Sequence, residues 1–131
     1  MRYNDGGAYL RNQRLNSSSE QVVPLLYEQL LLNLRRAARQ IEMCDLEGKS
    51  ASFEKASAIL FELLGGLNFD VGGDLAGRLA ALYGYFLGEL AGISRSLDRE
   101  RLGRVIDMVA MLDEGWREAA ESYAASRGGD G

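Results

Sequence analysis

Apolar side chains recur along most of this chain at alternating spacings of three and four residues. That period places them on one face of an α-helix, because an α-helix turns once every 3.6 residues. The pattern predicts four helices, over residues 18–44, 50–68, 74–96 and 98–124. Their stripes are Val23, Tyr27, Leu30, Leu34, Ala37, Ile41 and Cys44; Phe53, Ala56, Leu60, Leu63 and Leu67; Leu75, Leu79, Leu82, Phe86, Leu90 and Ile93; and Leu102, Val105, Val109, Leu112, Trp116, Ala119 and Tyr123.

Four such stripes, on helices of similar length joined by short loops, can all be buried against one another. The sequence therefore predicts an all-α fold, an antiparallel up-down-up-down four-helix bundle with an N-terminal arm. We assign residues 1–16 to a flexible arm or lid, 17–124 to the bundle and 125–131 to a disordered tail, because both ends are polar and contain glycine.

Helix ends are predicted from the residues beside the stripes. The expected N-caps are Ser17 or Ser18 for the first helix, Asp70 or Asp74 for the third and Asp98 for the fourth. Residues 45–50, which contain Gly48, are predicted to form the turn between the first two helices. Cys44 is then expected to be a small buried hydrophobe in the last core position of the first helix. Pro24 should weaken or bend the start of that helix, because it cannot donate a backbone hydrogen bond.

Charge and composition narrow the function. The 131 residues carry a net charge of −4, and the basic residues are scattered among acidic ones, so there is no basic stripe for nucleic acid. No apolar stretch is long enough to span a bilayer, and the N-terminus lacks the apolar core of a signal peptide. We therefore expect a cytoplasmic protein with no membrane insertion.

The side chains that most often perform catalysis are missing. The sequence has no histidine and a single cysteine, which removes the usual general base, zinc sites and the Ser-His-Asp and Cys-His arrangements. Gly48-Lys49-Ser50 is similar to the end of a P-loop, but Met43 stands where that loop needs a glycine. We expect no catalytic residue, no metal and no cofactor, and hence a binding protein rather than an enzyme.

The first and third helices carry surfaces that a bundle does not need. The first has apolar residues beyond its stripe, so either the N-terminal arm or a partner must cover it; they are Val22, Leu25, Leu26, Leu31 and Leu32. The third has small residues opposite its leucines, flanked by Tyr83 and Tyr85; they are Gly77, Ala81, Gly84, Gly88 and Gly92. This smooth strip either admits a partner helix or reflects a chain rich in glycine and alanine, and the sequence leaves both possibilities open.

The chain resembles the flagellin-specific export chaperones of bacterial flagella over nearly its whole length. The segments that carry the resemblance are Ala8-Tyr9-Leu10; Ser18-Ser19-Glu20-Gln21-Val22-Val23 followed by Leu25-Leu26-Tyr27-Glu28; Lys55-Ala56 through Ile59, with Glu62-Leu63 and Leu67-Asn68; Asp74-Leu75-Ala76; Leu82-Tyr83-Gly84-Tyr85; and Leu112 to Trp116. The chain departs from the family where Ser19 replaces a common proline and where Pro24 falls inside the apolar run.

The resemblance implies a cytoplasmic bundle that binds the disordered C-terminal segment of flagellin, prevents premature polymerisation and presents flagellin to the flagellar export apparatus. It also implies that the N-terminal arm can cover apolar surface when flagellin is absent. We predict the partner-binding residues to be Tyr9, Leu10, Leu26, Tyr27, Leu30, Leu31, Tyr83 and Gly84.

Other interpretations stay open at this point. Packing inside the bundle is the expected alternative for Tyr27 and Leu30, since both lie on the first stripe. The free protein is expected to be a monomer or a weak dimer. The alternative functions are a self-associating helical bundle and an adaptor for another secreted helical protein.

Overall fold

Four helices make up the computed structural model, which describes residues 19–130 and the side chains of residues 22–125. They are α1 (Ser19–Glu42), α2 (Leu46–Gly65), α3 (Phe69–Ser96) and α4 (Arg99–Asp130). α1 packs against α2 and α4, and α3 packs against the same two helices, so α1 and α3 face each other across the diagonal. The short turns make successive helices antiparallel. The predicted all-α four-helix bundle is confirmed.

The core consists largely of the predicted stripes, with differences in α4 and α3. In α4, Asp113 is buried and Leu112, which was predicted to lie in the core, is only half-buried. The larger shift is in α3. There the buried series is Ala76, Leu79, Tyr83, Phe86, Leu90 and Ile93. Leu75 and Leu82, which were predicted to lie in the core, are only half-buried. The observed series keeps the alternating spacing of three and four residues, and it directs Tyr83 instead of Leu82 towards the bundle axis.

α2 begins earlier than predicted. The Asp45 side chain accepts a hydrogen bond from the backbone N–H of Gly48 at 2.9 Å, which caps the helix directly before Leu46. Lys49 and Ser50 therefore lie in the first turns of α2, and the prediction that residues 45–50 form a turn is wrong. The capping carboxylate replaces the backbone partners that the first N–H groups of a helix lack.

Cys44 is exposed, and the prediction that it is buried is wrong. The chain leaves α1 after Glu42, and Cys44 adopts a left-handed backbone with φ of 60°. Its N–H bonds to the carbonyl of Ile41, and the N–H of Asp45 bonds to the carbonyl of Gln40. This pair of bonds is a Schellman motif, which ends the helix before the apolar stripe reaches Cys44.

The start of α3 also differs from the prediction. Asn68 is the N-cap, because its side chain accepts a hydrogen bond from Val71 N–H at 3.1 Å; the prediction of Asp70 or Asp74 is wrong. A few residues later Gly73, with φ of 51° and ψ of −123°, breaks the helical backbone. Glycine tolerates that conformation because it has no Cβ.

The start of α4 agrees with the prediction, and its end lies further along. Asp98 accepts a hydrogen bond from Arg101 N–H at 3.1 Å, which confirms it as the N-cap. The helix runs to Asp130, beyond residue 124 where the stripe pattern ended. Pro24 lies inside α1. The candidate caps Ser17 and Ser18 lie outside the described residues, and the division into arm, bundle and tail stays a prediction.

Candidate functional site

Three glycines on the outward side of α3 form a strip of bare backbone. Gly77, Gly84 and Gly88 are exposed, and a Cβ added to any of them would have no atom within 4 Å. Gly92, further along the strip, is different: an added Cβ would lie 2.6 Å from Nη2 of Arg101. The open strip therefore spans residues 77–88, and the Arg101 side chain closes it at one end.

One ion pair shows how the strip is oriented relative to α4. The Glu89 carboxylate accepts two hydrogen bonds from Arg101 of α4, at 2.9 Å and 3.0 Å. Gly84 lies about 140° around α3 from Glu89, because each residue turns the helix by about 100°. Since Glu89 faces α4, Gly84 lies on the outward side of α3, turned away from α4 and towards the α2 side.

Phe61 lies on the matching flank of α2 and is 61% exposed. Ser52 of α2 bonds to Gln40 of α1 at 2.7 Å, and Phe61 lies on the opposite side of the helix, away from α1. Lys49 of α2 contacts Ser94 of α3. Phe61 follows Lys49 by twelve residues, and Leu82 precedes Ser94 by twelve residues. Because α2 and α3 are antiparallel, Phe61 and Leu82 are at the same height along the bundle. Phe61 is therefore level with the glycine strip. We use the name α2–α3 groove for the outward surface that carries Phe61, Gly77, Gly84 and Gly88, all of which are exposed.

Four of the eight predicted partner-binding residues lie beneath the surface. The structure buries Tyr27, Leu30, Leu31 and Tyr83 in the core. Leu31, predicted to lie outside the bundle seams, is only 7% exposed. It is on the same side of α1 as Glu42, whose carboxylate binds Arg99, so α4 covers it.

The other four residues have different surroundings. Gly84 is exposed in the α2–α3 groove, and Leu26 is half-buried against the core. Tyr9 and Leu10 lie outside the described residues. The structure thus brings Tyr27 and Tyr83 together, with their hydroxyl oxygens 2.7 Å apart, and leaves Gly84 separate from them on the surface.

The sequence interpretation missed two kinds of exposed apolar side chain. Phe61 lies off the α2 stripe, and Phe69 and Val71 lie in the first turn of α3; all three are exposed. An aromatic residue outside a stripe was the signal available for Phe61. On α1, the surplus residues Val22, Leu25 and Leu32 are exposed, as their positions off the stripe predicted.

The electrostatics of this surface centre on one ion pair. The hydrogen bond from Arg101 lowers the pKa of Glu89, and the same bond raises the pKa of Arg101. Among the side chains of residues 22–125, no three His, Cys, Asp or Glu residues are grouped so that they could hold a metal ion. Among the described helices, none is long and apolar enough to cross a membrane.

Known proteins resemble this chain along nearly its entire length. Residues 2–123 match the family described as flagellar protein FliS. The chain is 31% identical over 111 residues to the flagellar secretion chaperone FliS of Campylobacter jejuni, covering 85% of this chain and 87% of that protein. It is 29% identical over 124 residues to the Bacillus subtilis protein of the same name, covering 95% and 92%. The Salmonella typhimurium protein of that name is 26% identical over 116 residues, covering 86% of each chain. The chain belongs to the FliS family of flagellar secretion chaperones.

Proposed function

We propose that this protein is a cytoplasmic export chaperone that binds the disordered C-terminal segment of flagellin. Binding is stoichiometric and involves no catalysis; it prevents premature polymerisation and delivers flagellin to the flagellar export apparatus. The proposal is carried by the α2–α3 groove, where the bare glycine backbone of α3 is open and the ring of Phe61 on α2 is exposed. Membership of a family of secretion chaperones supports it.

The groove suits a helix that forms on binding. With no side chains at Gly77, Gly84 and Gly88, the backbone of a partner helix can approach α3 closely, and Phe61 offers apolar contact on one side. A disordered segment that folds on binding gives up about 2–5 kcal/mol in ordering, so the contact must be extensive and mostly apolar. Each glycine also lowers helix stability by about 1 kcal/mol relative to alanine, a cost that close packing of a partner offsets.

The predicted residues divide into contact residues and supporting residues in this proposal. Gly84 contacts the partner directly, and the half-buried Leu26 extends the apolar surface on α1. Tyr27, Leu30, Leu31 and Tyr83 hold the helices that carry those surfaces in place, since they are buried. Tyr9 and Leu10 form a lid that leaves when flagellin binds.

The decisive experiment introduces a charge into the groove. Gly84→Glu should leave the bundle folded but weaken binding of a flagellin C-terminal peptide by tenfold or more, an amount equivalent to about 1.4 kcal/mol. Isothermal titration calorimetry measures the affinity, and circular dichroism checks the fold. Gly115→Glu is the matched control, since Gly115 is also exposed, helical and open around its Cβ. Equal affinity for the Gly84 variant and wild type would refute binding in this groove.

Deletion of residues 1–16 tests the lid. The shortened protein should keep its helicity and bind more of the dye ANS, because apolar surface that the arm covered becomes accessible. Unchanged dye fluorescence would show that the arm covers no such surface.

Self-association is the second candidate function, and the exposed Phe61 favours it, since two copies could pair through their grooves. Sedimentation at several protein concentrations separates the two functions. A chaperone in its free state should keep the mass of a monomer over the micromolar range, whereas an associating bundle gains mass. Phe61→Ser should abolish any such gain.

A further inference from the structure

The outward face of α1 carries a cluster of arginines that form no ion pair within the described residues. Arg35 and Arg39 are exposed, and Arg36 is half-buried. Among residues 22–125, the arginines in ion pairs are Arg99, Arg101 and Arg117. The guanidinium groups of the three α1 arginines form no ion pair or hydrogen bond there, although the whole chain has a net charge of −4.

These three arginines repel one another. Arg35 and Arg39 are separated by one helical turn, as are Arg36 and Arg39, and like charges at such spacings destabilise a helix. The nearest acidic residue along α1, Glu42, is engaged by Arg99 at 2.8 Å. Exposed arginines elsewhere have an acidic residue one helical turn away: Arg78 and Arg104 each follow an acidic residue by four positions.

Exposed leucines continue the same face towards the start of α1. Leu25 is 57% exposed and Leu32 is 42% exposed. A shallow cleft of about 460 Å³ joins Leu32 to Arg35 and Arg39, and Glu28 and Gln29 complete its lining. From Leu25 to Arg39 the face is roughly 21 Å long, at 1.5 Å per residue. We call the surface formed by Leu25, Leu32, Arg35, Arg36 and Arg39 the arginine–leucine face.

We propose that the arginine–leucine face docks an acidic amphipathic helix of a second partner protein. Apolar side chains of that helix pack on Leu25 and Leu32, and its carboxylates bind Arg35, Arg36 and Arg39. Charge complementarity identifies the partner, because a guanidinium group forms paired hydrogen bonds with a carboxylate and is recruited where such pairing is needed. Acidic residues flank the face at both ends: Glu28 lies in the cleft, and Glu42 and Glu100 line an adjoining cleft with Arg39 and Arg99.

This docking goes beyond the flagellin binding proposed above. α1 and α3 lie across the bundle diagonal, so their outward faces point in opposite directions. A segment in the α2–α3 groove and an acidic helix on the arginine–leucine face can therefore be bound at the same time. The protein would then link an exported chain to a second protein.

The test uses a fluorescein-labelled synthetic helix of about 14 residues, matched to the length of the face. It carries two leucines one heptad apart and a cluster of glutamates beyond the second leucine. We expect fluorescence anisotropy to detect binding to the full chain, with an affinity that falls as the salt concentration rises. The combined variant Arg35→Gln, Arg36→Gln, Arg39→Gln should bind about tenfold more weakly.

The control variant combines Arg78→Gln, Arg95→Gln and Arg104→Gln, which removes the same charge from exposed positions elsewhere. An equal loss in this control would overturn the proposal, as would wild-type protein that fails to bind the helix. Vesicles of phosphatidylcholine and phosphatidylglycerol form a second arm. Arginine-dependent vesicle binding without peptide binding would assign the face to membranes and also overturn the proposal.

Gly84→Glu separates this proposal from the flagellin proposal. It should leave the affinity for the acidic helix unchanged, and saturating flagellin C-terminal peptide should not compete with that helix. Competition would show that the two segments share one surface. If the flagellin peptide fails to bind while the acidic helix still binds, the function proposed for the groove fails and the docking face stands.

Discussion

The hydroxyl groups of Tyr27 and Tyr83 meet 2.7 Å apart inside the bundle. Tyr27 belongs to α1 and Tyr83 to α3, the two helices that face each other across the diagonal. Both side chains are buried, so the hydrogen bond forms in surroundings where polar groups need partners. A polar contact at this depth favours one axial register of α1 against α3, which sets where the α3 glycine strip lies relative to α1.

Tyr27→Phe and Tyr83→Phe should each destabilise the bundle by about 1 kcal/mol, because each removes one hydroxyl from the buried bond. The double variant should cost less than the sum of the two, since either change already breaks the shared bond. Urea unfolding followed by circular dichroism gives the free energies. Tyr85→Phe is the control, because Tyr85 is about half exposed. Strict additivity of the two changes would show that the hydroxyls are not coupled.

Alanine should have opposite effects at two helical glycines. At Gly48 the new Cβ would overlap the carboxylate of Asp45 and the side-chain amide of Gln40. It would displace the α2 cap and the Gln40 side chain that bonds to Ser52, for a net loss of about 1 kcal/mol. At Gly77 the space is open, and alanine should stabilise the helix by up to about 1 kcal/mol. Thermal unfolding of the two variants checks the signs; a stabilised Gly48→Ala protein would contradict the prediction.

Lys49 ties the start of α2 to the end of α3. Its Nζ donates to the backbone carbonyl of Ser94 at 3.0 Å and is 3.3 Å from the Ser94 hydroxyl. That carbonyl lies in the last turn of α3, where the helix itself provides no N–H partner. Lys49→Met keeps the aliphatic stem but removes the donor, and it should cost roughly 1.5 kcal/mol in urea unfolding. Ser94→Ala, which removes only the longer contact, should cost much less; an equal cost would contradict this assignment.

The Glu89–Arg101 pair should make stability depend on pH. Because Arg101 lowers the pKa of Glu89 below its ordinary value of 4.5, the charged carboxylate stabilises the folded state. That contribution is complete above pH 4.5 and is lost as the pH falls through the lower pKa of the folded protein. Glu89→Gln should therefore be less stable than wild type at neutral pH, and the difference should close on acidification.

Urea midpoints measured across this pH range test the effect. Glu118→Gln is the control, because Glu118 is exposed and forms no ion pair among the described residues. A difference between wild type and Glu89→Gln that persists unchanged below the lowered pKa would mean that packing, and not charge, accounts for it.

Residues within the helices were easier to predict than residues at their ends. The stripes of α1, α2 and α4 largely coincide with the buried residues, because burial depends on a period that is repeated many times. Cys44 and the Asp45 cap were misjudged because a helix ends where individual backbone groups find partners, as in the Schellman motif after Glu42. Several registers of that motif fit the same sequence.

At the candidate site, the sequence predicted the exposed glycine strip correctly but not which residues lie beside it. It predicted the outward strip around Gly84, which is exposed as expected. It also placed Tyr83 beside that strip, whereas Tyr83 is in the core. Its apolar ring and its polar hydroxyl suit both positions, and only the packing of α1 against the opposite helix provides the Tyr27 hydroxyl as a partner.

Periodicity and composition were enough to show that this chain forms four amphipathic helices, lacks histidine and carries more apolar and glycine surface than a bundle needs. These properties follow from local composition and periodicity. The packing of the helices was needed to show that Leu31 is buried, that Phe61 is exposed and that Arg35, Arg36 and Arg39 form no ion pair among the side chains of residues 22–125. Such relationships depend on which flank of each helix meets which neighbour, and that is fixed by contacts between residues far apart in the chain.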